Sequence, residues 1–216
     1  LLNHEVSHVK YQNNEYMVSF KNKNTIIAKQ IIFTIELNQV FKLLNHYPKK
    51  RFINLYNPID VFHFGISESN IGKKINGFGL LSKKSEQKSI LGILFNSDIF
   101  PHVSPSKYKL YTILVGGEKQ SNICNKPIEK VLQLVEQEFK DLFDIKQIDF
   151  KKHFRWKKAI PKYNYNLLKR IDDEISLLNE KYRNIYLNGN YINGVSVSNC
   201  ISNSYNYVES ITNKNC

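Results

Sequence analysis

Two hydrophobic rhythms run along this chain and exchange places. Near its start, Val6, His8 and Lys10, then Tyr16, Val18 and Phe20, follow a period of two, which predicts strands. A turn at Lys21 to Asn24 leads into the β-branched run Thr25 to Ile35. Within it, Ile31-Ile32-Phe33-Thr34-Ile35 carries apolar residues on both faces, which predicts a strand buried inside a helix-covered sheet. From about Asn38 the texture changes. Short strand-like runs at Val61 to Ile66, Ser89 to Phe95 and Lys109 to Val115 are separated by segments of Gly, Ser, Pro and Lys.

The period then lengthens. After Pro127, the positions Val131, Leu134, Val135, Glu138 and Leu142 predict a helix whose apolar stripe is broken only at Glu138. Leu168, Ile171, Ile175 and Leu178 predict a second long helix. Ile185-Tyr186-Leu187 is short and β-prone and runs into Gly189 and Gly194, so a strand should end there in a tight turn. Ser196 or Ser198 can cap a closing helix, and Ile201, Tyr205 and Val208 predict one buried face for it. Free backbone N–H groups at such a helix start point at an anionic or carbonyl-rich ligand.

Composition narrows the classes. With 216 residues and 42% hydrophobic content the chain can bury a real core, as one large domain or two small ones. Lys+Arg 31 against Asp+Glu 19 gives a net charge of +12, which suits an anionic surface or substrate. The basic residues are dispersed and the aromatics form no RNA-binding sheet motif, so nucleic acid is not a predicted partner. Cys124, Cys200 and Cys216 form no CxxC pair and are odd in number, which argues against a disulfide framework or thiolate zinc site and fits a reducing compartment. His4, His8, His46, His63, His102 and His153 are scattered, so no metal site is predicted. No stretch approaches the length of apolar sequence that a membrane span needs, and no secretory signal is present.

A series of short motifs carries more information than any one of them. Gly77-Phe78-Gly79-Leu80-Leu81 is followed by Ile90-Leu91-Gly92-Ile93-Leu94-Phe95-Asn96-Ser97, with Phe100-Pro101 close behind. Then come Leu114-Val115-Gly116-Gly117, Arg155-Trp156, Ala159-Ile160-Pro161-Lys162-Tyr163, and the closing Gly189-Asn190, Gly194-Val195-Ser196-Val197 and Asn199-Cys200-Ile201. In this order and spacing the chain resembles the carboxy-terminal half of protoporphyrinogen oxidase of the oxygen-dependent, FAD-containing type, within the amine-oxidase-like flavoenzymes.

The resemblance implies an α/β fold with an α+β substrate part. Residues 1–37 and 155–216 would form part of a Rossmann-like FAD-binding domain and share one sheet, with residues 38–154 inserted as a mixed-sheet and helix substrate-binding domain. The implied reaction aromatises a porphyrinogen to a porphyrin, protoporphyrinogen or coproporphyrinogen being equally open, with FAD as cofactor and molecular oxygen as final acceptor. No catalytic side chain is implied, because the flavin carries the redox chemistry. The family's flavin contacts map onto Val6 near the adenosine and onto Asn190, Val195, Ser196 and Val197 near the ring, with Gly189 and Gly194 forming the turn. Its tetrapyrrole contacts map onto Phe78, Leu81 and Leu114 as apolar walls, and Trp156 is placed either against the flavin or in ordinary packing.

The chain begins at Leu1 and contains no G-x-G-x-x-G. It is therefore expected to be the distal part of a longer protein or one piece of a split gene. The amino-terminal half, which would hold the arginine that meets a propionate, would be supplied in cis or in trans. A cytoplasmic place with peripheral contact at the inner membrane face fits the expected insoluble product and the basic charge. The competing expectations are another amine-oxidase-like flavoenzyme acting on an amine or a carotenoid, and a truncated remnant unable to hold flavin.

Overall fold

The computed structural model describes residues 1–48, 52, 55–83, 86 and 88–212 of the chain. They fall into two compact units, Leu1–Asn54 with Tyr163–Cys216, and Leu55–Lys162. The first is therefore discontinuous in sequence. Its boundaries lie at 54/55 and 162/163, where the sequence reading set them at 37/38 and 154/155. Two elements move them. A helix after residue 36 buries its apolar face in the first unit, and a strand through Arg155 and Trp156 pairs along its length within the second.

The first unit opens with an antiparallel meander of β1 (Val6–Gln12), β2 (Glu15–Phe20) and β3 (Thr25–Ala28). Asn13 and Asn14, both at positive φ (55° and 62°), make the hairpin turn, the conformation that matches strand twist in a two-residue loop. The β-branched run then breaks at Lys29-Gln30, and β4 (Ile31–Phe33) leaves the meander to pair in parallel with β10 (Ile185–Leu187), Ile31 opposite Ile185. The two ends of the sequence thus share a sheet. The expectation that β4 is covered on both faces fails, since Ile32 is 53% exposed while Phe33 is buried.

Helix α1 (Leu37–Leu43) was not legible in the sequence; Leu37, Val40 and Phe41 face the core. Helix α4 (Tyr165–Lys181) begins where the Asn164 side chain accepts from the Leu167 N–H, and it buries Ile171 and Leu178. Its third buried residue is Glu174, whose carboxylate meets His46 Nε2 at 2.7 Å, so a polar pair ties α4 to the chain after α1. Helix α5 (Val197–Thr212) closes the chain.

The second unit is one sheet backed by one long helix. Its strands are β5 (Tyr56–Ser67), β6 (Gly79–Leu81), β7 (Ile90–Phe95), β8 (Tyr108–Gly116) and β9 (Phe150–Pro161), in the spatial order β6-β7-β8-β5-β9. A single turn, α2 (Asn96–Ile99), follows β7, and α3 (Ile128–Phe143) precedes β9. Every pairing is antiparallel, where a mixed sheet was expected. The difference has a physical consequence: antiparallel strands need no crossover helices, so one face can remain bare. The covered face carries Phe62, Phe64, Ile66, Ile93, Phe95, Tyr111 and Ile113 against Val131, Val135, Phe139 and Phe143 of α3. The break in the α3 stripe is explained as well. Glu138 turns its carboxylate to the backbone N–H groups of Ser89 and Ile90, holding the start of β7.

Candidate functional site

Candidate cofactor residues gather in the first unit, where β10 passes into α5. Asn188 donates its backbone N–H to the Phe33 carbonyl, continuing the β4–β10 pairing, and its side chain donates to Ser204 Oγ at 2.7 Å. The chain then turns through Asn193 (φ 53°) and Gly194 (φ 134°). A Cβ on Gly194 would lie 2.1 Å from the Asn199 amide nitrogen, so glycine is required here by both conformation and space. Gly189 has no positive φ; its role is room for the Tyr191 ring, which a Cβ would meet at 2.6 Å.

Of the two capping serines considered, Ser196 is the one used: its Oγ accepts from the Asn199 N–H and its carbonyl from Cys200. The N–H groups of Val197 and Ser198 cannot be satisfied within the helix, and they have no acceptor among the described residues. Beside them lies an open depression of about 480 Å³ lined by Asn190, Val195, Val197, Cys200, Ile201 and Tyr205 among others. Asn190, Val195 and Val197 are thus brought together, with Ser196 and Gly194 in the same turn. Val6 is not among the lining residues; it pairs with Phe20 in the first hairpin. An apolar hollow beside two free N–H donors fits the ring of a flavin, whose carbonyl edge accepts hydrogen bonds.

The expected burial of α5 is reversed. Ile201, Tyr205 and Val208 are 54%, 72% and 52% exposed. The polar stripe faces inward instead: Asn203 donates to the Ile192 carbonyl, and the Tyr207 hydroxyl accepts from the Leu187 N–H. Hydrogen bonds to the free backbone of β10 and its loop hold this face down and leave the apolar one out. Cys200, half-buried, points its Sγ at the Gly194 carbonyl.

The candidate substrate residues lie in the second unit. Along β5, Phe62, Phe64 and Ile66 point to α3, so Val61, His63 and Gly65 must point to the bare face. Cross-strand register then assembles a row across the sheet, Leu81, Gly92, Leu114, Val61 and Phe154. Leu81 and Leu114 therefore share one face, separated by Gly92, where a Cβ would touch Leu81 Cδ2 at 2.9 Å. Phe78 does not join them. Its carbonyl accepts from Phe95, so it extends β6 by one residue and lies three positions from Leu81, which in an extended chain means the opposite face. Leu81 and Phe78 are nevertheless exposed rather than core. Trp156, 57% exposed on β9 opposite Ile59, is not packed either.

Four residues on this bare face escaped the sequence reading: His63, Thr112, Lys152 and Phe154. Strict alternation of β5 about Phe62 and Phe64 was the available signal for His63. Its Nδ1 lies 3.0 Å from Thr112 Oγ1, its ring meets Phe154 edge-on at 5.9 Å, and burial lowers its pKa. On the covered face, Asp60 is fully buried and accepts from Arg155 Nε and Nη2, each at 2.8 Å, and from His153 at 3.0 Å. Burial alone would raise the Asp60 pKa, but these hydrogen bonds and the Arg155 charge hold it below the ordinary carboxylate value.

The sequence pattern described as flavin containing amine oxidoreductase matches residues 1–210. The chain belongs to that family. It is 27% identical over 181 residues to the mitochondrial protoporphyrinogen oxidase of Nicotiana tabacum, covering 79% of this chain and 35% of that protein. It is 20% identical over 200 residues to coproporphyrinogen III oxidase of Bacillus subtilis, covering 91% of this chain and 43% of that protein. A crystal structure from Exiguobacterium sp. 255-15, described as a candidate protoporphyrinogen oxidase, superposes with a TM-score of 0.78 at 17% identity, over 95% of this chain and 46% of that one. The chain therefore spans less than half the length of each of these proteins. Among its described residues no helix is long and apolar enough to cross a membrane.

Proposed function

We propose that this chain is the carboxy-terminal portion of an FAD-dependent oxidase that converts protoporphyrinogen IX or coproporphyrinogen III to the porphyrin with molecular oxygen, in haem biosynthesis. The observation that carries the reading is the family match over nearly the whole chain, joined to relatives named for porphyrinogen oxidation. The division of labour supports it. The turn of Asn190, Gly194, Val195, Ser196 and Val197 would seat the flavin ring, with the helix-start N–H groups stabilising charge on its carbonyl edge. The bare sheet face with Leu81 and Leu114 would wall the macrocycle, which needs apolar contact and few polar groups. Bound FAD would supply the hydride acceptor. The chain's own residues bind, orient and exclude water.

The phosphate cradle of FAD is not among this chain's residues, since it has no glycine-rich dinucleotide turn. The amino-terminal half is accordingly part of the proposal. Co-expression with that half, from an adjacent reading frame or a relative, should yield a yellow complex that makes fluorescent porphyrin from porphyrinogen in air. A flavin-bearing complex that releases peroxide from amines and leaves porphyrinogen untouched would overturn the substrate assignment. Failure to bind flavin at all would favour a remnant.

A further inference from the structure

We propose that Lys152 and His63, cross-strand neighbours on the bare face of the five-stranded sheet, form an anchor for a carboxylate of the tetrapyrrole substrate. The proposal rests on the reading of that face as the macrocycle wall. His63 of β5 stands directly opposite Lys152 of β9, and the same row continues through Thr112 to Leu94. Around this polar pair the face is apolar: Leu114 and Val61 on one side, Leu110 and Phe150 on the other, Phe154 diagonal to His63. A flat apolar wall holds a macrocycle but leaves it free to rotate in its own plane. One charge-assisted contact to a peripheral carboxylate would fix that rotation.

Lys152 is the one lysine of that row. Lys109 is engaged by Asp98 and Glu68, Lys151 by Glu136, and Arg155 by Asp60. Lys152 meets no carboxylate among the described residues; its ammonium lies 5.7 Å from the Phe154 ring centroid, a soft contact that a carboxylate would displace or join. Asp149, at the end of the face, is already bonded to the Ser67 N–H and the Asn70 side chain. His63 is held on two sides, by Thr112 at Nδ1 and by the edge-on Phe154 ring, which leaves Nε2 as its remaining polar atom. With the Thr112 hydroxyl donating to Nδ1, Nε2–H is a donor on the residue directly across from Lys152, and the two would together serve one carboxylate.

The test uses the purified 216-residue chain and coproporphyrin III, followed by porphyrin fluorescence at low and high salt. Lys152→Met should weaken binding roughly fivefold and remove most of its salt dependence, as expected for one partly screened ion pair. Lys152→Arg should restore both, and His63→Phe, which keeps the ring but removes the donor, should weaken binding a few-fold. The tetramethyl ester of the same porphyrin should be insensitive to Lys152→Met. Leu114→Glu separates the two claims, because it places a charge in the wall itself. If Leu114→Glu abolishes binding while Lys152→Met and His63→Phe change it less than twofold, the wall stands and the anchor is overturned. If Leu114→Glu has no effect, or the unmodified chain shows no saturable binding, the wall fails and the anchor with it. Thermal unfolding of each variant identifies any loss that comes from misfolding.

Discussion

Tyr163 donates its hydroxyl to the carbonyl of Asn190, fastening the residue just after the second unit to the loop between β10 and α5. Partial burial raises the pKa of this phenol, so it remains a donor across the neutral range. Tyr163→Phe keeps the ring and removes the tether. It should cost about 1 kcal/mol in unfolding free energy and speed amide exchange from Asn190 through Gly194. Unchanged exchange in that loop would show that the turn is set by Gly194 and Ser196 alone.

Gly194 is the stricter requirement. At φ 134° a side chain is strained, and the first carbon of one would overlap the Asn199 side chain that sits over the Ser196 cap. Gly194→Val should therefore lose about 1 to 3 kcal/mol. In the completed enzyme it should also fail to retain flavin. Leu81→Ala in the same complex should keep flavin and raise KM for porphyrinogen, because it thins the wall and not the turn. If the two variants exchange these phenotypes, cofactor and substrate residues have been assigned to the wrong units.

What was legible in the sequence is what local periodicity and turn chemistry dictate. The existence of α3 and the α4 spacing follow from side chains within a few positions of one another, although α3 buries Phe139 and Phe143 and leaves Leu134 exposed. The glycine turn before α5 belongs with them. What was not legible depended on partners distant in sequence. Glu138 breaks its stripe because Ser89 and Ile90 need an acceptor, and Glu174 is buried because His46 meets it. The α5 stripe was misread for the same reason: Tyr207 and Asn203 pair with backbone at Leu187 and Ile192, and that outweighs the apolar pattern. For the candidate site, motif resemblance nominated Phe78, Leu81 and Leu114 as one set, and could not show that strand parity separates Phe78 from the other two. The Cys216 position lies outside the described residues.

The two described thiols should differ in reactivity. Cys124 is buried, its Sγ directed at the Val115 carbonyl, and burial pushes its pKa up to about 11. Little thiolate exists there at pH 8, and alkylation requires both access and thiolate. Cys200 is half-buried at the rim of the 480 Å³ depression. Iodoacetamide labelling of the native chain, read by peptide mass spectrometry, should modify Cys200 well before Cys124. In the flavin-loaded complex Cys200 should become protected. Early labelling of Cys124 would mean that the segment packed on the end of β8 opens far more readily than its burial suggests.

Asp60 makes the second unit sensitive to acid. Its folded pKa lies below the ordinary carboxylate value of about 3.9, so the unfolded chain takes up this proton more readily than the folded one. The resulting stabilisation is complete above that value and disappears as pH falls through the lower, folded one. It should therefore be lost below about pH 4 and be constant near neutrality. Asp60→Asn keeps the shape but gives the Arg155 guanidinium one neutral amide oxygen in place of two carboxylate oxygens, and sets the amide NH2 against a donor. Removing one member of a buried ion pair typically costs about 3 to 5 kcal/mol. Urea unfolding between pH 3 and 7 should show the variant less stable at neutral pH and flatter in the acid limb. Parallel curves for the two proteins would mean that Asp60 holds no more charge-dependent stability than an exposed carboxylate, and that the acid limb arises elsewhere in the chain.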